Sequence, residues 1–167
     1  RAFWDDVAHL YALGSAAVPG AAAARMLPVL MPRLEFAPAQ ANPLGLRPLR
    51  ALIERHVDFG ALRSSAAPAL FVTATHVATG LPRVFSNDTI SVETLLASAC
   101  LPHLFPPVTI DGEQYWDGGF AGNPTLWPLL HYVDAGDVLL VQLGSVTRRV
   151  VPHGAQEIRA RMFEIGF

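Results

Sequence analysis

The sequence predicts an α/β layered fold, a mostly parallel sheet flanked by helices, and three features lead there. Two continuous apolar runs, residues 69–74 and 138–143, have strand length and no polar alternation, as strands covered on both faces do. Stretches with apolar residues three and four apart lie before, between and after them. Alternation of the two patterns is the mark of helices layered on a sheet.

Taken in order, residues 1–13 place Phe3, Trp4, Val7, Leu10 and Tyr11 on one helical face, with His9 off that stripe and Asp5-Asp6 as a solvated helix start. Residues 14–48 are rich in Ala, Pro and Gly, and six prolines forbid a long uninterrupted helix. Arg25 and Arg33 interrupt the segment, so it is no membrane span, which needs about 20 consecutive apolar residues. It admits two readings, an apolar flap that meets lipid or short helices packed on the core; the scarcity of aromatic anchors favours the second. Leu49, Leu52, Ile53 and Val57 then mark an amphipathic helix ending near Asp58-Phe59-Gly60.

Residues 69–74 read as a strand buried on both faces, continued by Thr75 and His76 to a turn at Gly80, with Arg83-Val84-Phe85 as a short partner. His76 reads as a histidine satisfied beside a strand end, with a pocket role as the sharper alternative. Ser91 is a good N-cap, Glu93 suits the first turn, and Val92, Leu95, Leu96 and Ala99 follow at helical spacing up to Pro102. Ser98 lies on that helix, where a small residue serves close packing and where the sharp turn that exposes a nucleophile is lacking. Val108-Thr109-Ile110, Asp111-Gly112 and Glu113-Gln114-Tyr115-Trp116 form a hairpin signal around a two-residue turn. Residues 125–132 suggest a short helix whose start Pro128 limits. Residues 138–143 read as a second buried strand closed by Gly144, and the final helix puts Ile158, Met162 and Ile165 on one face with Arg159 on the other.

Composition narrows the function. A chain of 167 residues is one domain's worth, long enough to bury roughly 70% of its unfolded surface, and no repeat or low-complexity linker divides it. With 51% hydrophobic and 16% charged residues it is core-rich and not disordered. A net charge of −2, and basic residues that are all Arg without a long run, give no general attraction to nucleic acid; Arg148-Arg149 is only a pair. The single cysteine, Cys100, excludes an internal disulfide and any paired-thiol metal or redox motif, and its apolar setting suits an inert thiol. The six histidines have no close metal spacing, and Gly118, Gly119 and Gly122 make no phosphate loop, so no cofactor or metal is expected. With no signal peptide visible at the start, the expected compartment is cytoplasmic.

The residue to which chemistry points is Asp117. It directly follows the hairpin's second arm and precedes Gly118 and Gly119, so backbone can approach a reacting atom beside it without an intervening side chain. A turn-capping Asp-Gly pair is the plainer alternative. Together, Phe71-Val72-Thr73-Ala74-Thr75, Ala97-Ser98-Ala99-Cys100-Leu101-Pro102, Phe105-Pro106-Pro107 and Tyr115-Trp116-Asp117-Gly118-Gly119 with Asn123-Pro124 resemble the C-terminal part of the patatin-like phospholipases, especially the bacterial ones, over residues 43–167. The resemblance implies lipid acyl hydrolysis by a Ser–Asp dyad, with Asp117 as the dyad carboxylate and Gly118 and Gly119 as its motif glycines. It also implies a lipid or other acyl-ester substrate; the flap reading adds peripheral membrane contact, and the charge balance leaves no nucleic-acid partner.

One departure matters. None of the seven serines, Ser15, Ser64, Ser65, Ser86, Ser91, Ser98 and Ser145, stands in the Gly-x-Ser-x-Gly frame of that family's nucleophile, and its glycine-rich oxyanion loop has no counterpart. The chain also starts at Arg1 and stops at Phe167 within a helical pattern. The expectation is therefore an incomplete patatin-like domain over residues 1–167, part of a longer enzyme and inactive when isolated. The rival expectation is a non-catalytic lipid-binding or interaction domain on the same fold, with Asp117 as a relic.

Overall fold

In chain order, the elements of the described residues are helix α1 (Arg47–His56), helix α2 (Phe59–Leu62), strands β1 (Phe71–His76) and β2 (Pro82–Ser86), helix α3 (Val92–Ser98), strands β3 (Val108–Ile110) and β4 (Glu113–Asp117), a 3-10 turn (Gly118–Phe120), and helices α4 (Trp127–Tyr132) and α5 (Ala155–Gly166). The structure, a computed structural model, describes residues 2, 5, 6, 42–134, 136–141, 147, 148 and 150–166. The expected helix of residues 1–13, apart from residues 2, 5 and 6, and residues 14–41 of the segment 14–48 therefore fall outside the described residues. The chain divides into two compact units, residues 1–58 with 101–106, and residues 59–100 with 107–167.

Within the first unit, α1 follows the predicted spacing, with Leu52 and Ile53 buried and Pro48 in its first turn, where a missing N–H costs nothing. Asp6 is not merely solvated, as the sequence suggests, because its Oδ2 lies 2.9 Å from His56 Nε2 and 3.0 Å from Arg55.

The second unit holds one four-stranded sheet in the order β2-β1-β4-β3. Each of its three pairings is antiparallel. The described residues thus form a mixed α/β unit on an antiparallel sheet and do not form the mostly parallel sheet expected from the sequence. For the β1–β2 and β3–β4 pairs the physical reason lies in the connections. The links 77–81 and 111–112 are far too short for the crossover that parallel neighbours need, whereas antiparallel neighbours require only a hairpin. Asp111 (φ 53°) and Gly112 (φ 83°) both take the left-handed conformation that a tight two-residue hairpin demands.

The core lies on one face of this sheet. Partner residues of an antiparallel pair point to the same side, so Ala74, Tyr115 and Asp117 share a face, with Phe85 and Ile110 beside them. Ala97 of α3 packs there with Ala74, Phe85, Ile90, Ile110 and Tyr115. The N-terminus of α3 is closed by a capping box in which Thr94 N–H donates to Ser91 Oγ and Ser91 N–H donates to Thr94 Oγ1. That box turns Thr94 inward, so the helix buries Thr94, Leu96 and Ala97 and leaves Leu95 partly covered, a rotation from the face the spacing suggests.

Of the expected second buried strand, residues 142 and 143 lie outside the described residues, and residues 138–141 form no strand. They pair with no strand, and Leu139 and Val141 are 89% and 79% exposed. An apolar run becomes a strand only against a neighbouring edge under a covering layer, and the described residues provide neither beside it. In α5, Ile158 and Met162 are likewise exposed, while Arg148 and Arg161 both pair with Glu164. Among the described residues, no helix is long and apolar enough to cross a membrane.

Candidate active site

The site arises from a mismatch in strand length. β2 runs alongside nearly all of β1, but β4 pairs only with Ala74, Thr75 and His76, through Asp117, Trp116 and Tyr115 respectively. At Asp117 the chain leaves the sheet through the 3-10 turn. Among the described residues the first half of β1 has no second neighbour, and beside it opens a cleft of about 590 Å³ whose walls include Phe71, Thr73, Ser98, Asp117 and Leu126. That volume lies in the range of small-ligand sites, roughly 300–1,000 Å³.

Asp117 is fixed at three atoms. Its backbone N–H donates to Cys100 O at 2.9 Å, its carbonyl accepts from Thr75 Oγ1 at 2.7 Å, and its Oδ1 accepts from Gly119 N–H at 2.8 Å. The last bond makes it the N-cap of the 3-10 turn, so the plainer role read from the Asp-Gly pair is also present. Among the described residues no ion pair reaches Asp117 and nothing donates to its Oδ2. Half-burial pushes the carboxyl above the usual aspartate range, and the Gly119 N–H draws it partly back.

The two motif glycines have different tasks. Gly118 is buried, and a Cβ built on it would overlap the Thr73 carbonyl oxygen, with the carbonyl carbon 2.7 Å away. Its lack of a side chain admits β1, and Gly118 also lines the cleft. Gly119 supplies the N–H that holds the carboxylate and also lines the cleft. Farther along, Gly122 faces Thr125, whose hydroxyl donates to the Gly122 carbonyl at 3.2 Å, and the Asn123-Pro124 peptide is cis.

Two other residues weighed in the sequence fall on either side of the cleft boundary. Ser98 is in the wall, but its Oγ donates to Leu95 O at 2.8 Å across the last turn of α3. His76, at the other end of β1, bonds Thr79 Oγ1 and Glu113 Oε2 at 2.8 and 3.0 Å and lies outside the wall. Cys100 is fully buried, and burial pushes its thiol up to about 11. Among the described residues no three His, Cys, Asp or Glu side chains gather as a metal would require.

Sequence reasoning missed Thr73 and Thr75, the β1 residues that hold the turn carrying Asp117. A signal was present: Thr75 is a hydroxyl directly after an apolar run, and a buried hydroxyl must find an acceptor. The arrangement offers a carboxylate with one oxygen immobilised and one open, of raised proton affinity, at a partly apolar cleft. Such a group can accept a proton from an alcohol or a water.

Residues 10–130, well over half of the chain, match the patatin-like phospholipase family, a span that begins ahead of residue 43, ends ahead of residue 167 and contains Asp117, Gly118 and Gly119. No curated protein and no solved structure matches the chain.

Proposed function

Because the chain belongs to the patatin-like phospholipase family, whose activity is lipid acyl hydrolysis, we propose that it supplies the carboxylate of a Ser–Asp dyad. Asp117 is the base, and a lipid or other acyl ester is the substrate. The observation that carries this reading is the geometry of Asp117: Oδ1 held by Gly119 N–H, Oδ2 open, and the carboxyl half-buried in the cleft wall.

The serine and the oxyanion donors come from a segment outside these 167 residues, since no serine here has the Gly-x-Ser-x-Gly frame and Ser98 is back-bonded to its own helix. Residues 1–167 are thus a partial acyl hydrolase domain. In the mostly parallel, layered sheet implied by the family, the exposed run 138–141 would be a strand completed by that segment.

The reaction proceeds in two halves. Asp117 Oδ2 takes the serine proton as the hydroxyl oxygen attacks the acyl carbon, and the tetrahedral adduct collapses with loss of the alcohol, which leaves carrying that proton. Water then attacks the acyl-serine, giving its proton to the same carboxylate, which returns it to the serine oxygen as the fatty acid departs. Half-burial assists, because a carboxylate with raised proton affinity accepts a hydroxyl proton more readily. Leu70, Phe71, Leu126 and Leu129 give the cleft apolar wall for an acyl chain. Contact of the enzyme with a lipid surface belongs to the same proposal.

The same apolar wall also suits a second reading, a lipid-binding domain in which Asp117 does no chemistry. Hydrolysis of a chromogenic acyl ester separates the two. The 167-residue chain should give background release, about 10⁶-fold below an intact serine hydrolase. The full open reading frame that encodes it should give turnover. Turnover by the chain alone overturns the missing-serine reading, and none from the full protein favours the lipid-binding one.

A further inference from the structure

We propose that Thr75 is a positioning residue for the Asp117 carboxylate, its hydroxyl clamping the peptide from which that side chain springs. Thr75 sits on β1 opposite Trp116, is only 4% exposed, and is absent from the cleft wall, so it acts on Asp117 without touching a ligand.

A buried hydroxyl with an unsatisfied donor is costly, so the acceptor it selects is structurally committed. Here the acceptor is the carbonyl oxygen of Asp117, at 2.7 Å. That carbonyl belongs to the peptide joining Asp117 to Gly118, and its orientation decides where the following N–H groups point. With the peptide held, the Gly119 N–H meets Oδ1 at 2.8 Å, and Gly118 seats against the Thr73 carbonyl. The Cys100 carbonyl secures the other side of Asp117 through its N–H, at 2.9 Å. Free of the clamp, the peptide can rotate, and the Gly119 N–H leaves the carboxylate.

The role rests on Asp117 being the base, yet it can be tested without turnover. The titration of the Asp117 side-chain carboxyl and the chemical shift of the Gly119 amide are followed by NMR in the protein as expressed, in wild type, Thr75→Val and Thr75→Ser. Cys100, whose charge couples to Asp117, stays protonated through the acid range, its thiol standing at about 11, so the acid transition belongs to the carboxyl. In Thr75→Val the Gly119 amide should lose its hydrogen-bonded shift and the Asp117 midpoint should move upward, since the bond that lowers it is gone; Thr75→Ser should restore both. An unchanged amide shift and midpoint in a folded Thr75→Val overturns the proposal, even if the variant melts earlier. Should Val at this position prevent folding, Thr75→Ser decides: the hydroxyl is kept, so its midpoint must match wild type, and a displaced one overturns the clamp. Because no ester is involved, failure of the clamp and failure of the dyad assignment are read separately.

Discussion

Gly118 and Thr73 touch so closely that the first has no room for a methyl group: a Cβ there would collide with the Thr73 carbonyl, whose carbon would be 2.7 Å away. Backbone on both sides leaves no flexible side chain to yield. Gly118→Ala should therefore cost about 3 kcal/mol, the upper end of overpacking penalties, and should displace the 3-10 turn. Thermal or urea unfolding measures the loss. A variant as stable as wild type would mean that β1 and the turn are not in contact.

Asp117→Asn should change stability in a pH-dependent direction. The carboxyl's folded-state value lies above the 3.8 of a free aspartate, raised by burial and opposed by the Gly119 N–H. The folded state therefore holds this proton more tightly than the unfolded state, and the contribution is fully present below about pH 3.8 and is lost as pH rises through the folded value. Asn carries no charge to desolvate and keeps an Oδ1 for Gly119. The variant should be more stable than wild type at neutral pH, with the difference closing as the pH approaches 3.8. Paired urea titrations across that range check the sign; a variant less stable at neutral pH contradicts it.

Ser91→Ala removes one arm of the capping box on α3. Loss of such a cap costs about 1 kcal/mol. Chemical denaturation should show this loss while the sheet's spectroscopic signature is retained, and a neutral effect would show the cap to be dispensable.

Cys100 should resist alkylation in the folded protein. Its thiol is fully buried and pushed up to about 11, so the reactive thiolate is scarce at pH 8. Modification should be slower than for the urea-unfolded chain by at least about 10²-fold. Equal rates would place the sulfur at the surface.

What could be read from the residues depended on how local the cause was. Asp111-Gly112 announced the hairpin because its backbone conformation is set by those two residues alone, and Ser91 announced its helix for the same reason. Strand direction was illegible: an apolar run such as 69–74 reports that it is covered, not which way its neighbours run, and its neighbours run antiparallel. The run 138–141 carries the same apolar signal without the partner. At the site, Asp117 stood out by its place between strand and glycines, whereas the reason for Gly118 required knowing that Thr73 lies against it. The part played by Thr75 was hidden likewise, since its acceptor is 42 residues away.

The most direct test is hydrolysis of an acyl ester by the full-length protein with Asp117 replaced by Asn, fold integrity being monitored in parallel. Its kcat should fall on the order of 10⁴-fold, the scale seen when a serine hydrolase loses its carboxylate, with unfolding still cooperative. A folded Asp117→Asn protein that hydrolyses the ester at the wild-type rate would contradict the dyad assignment.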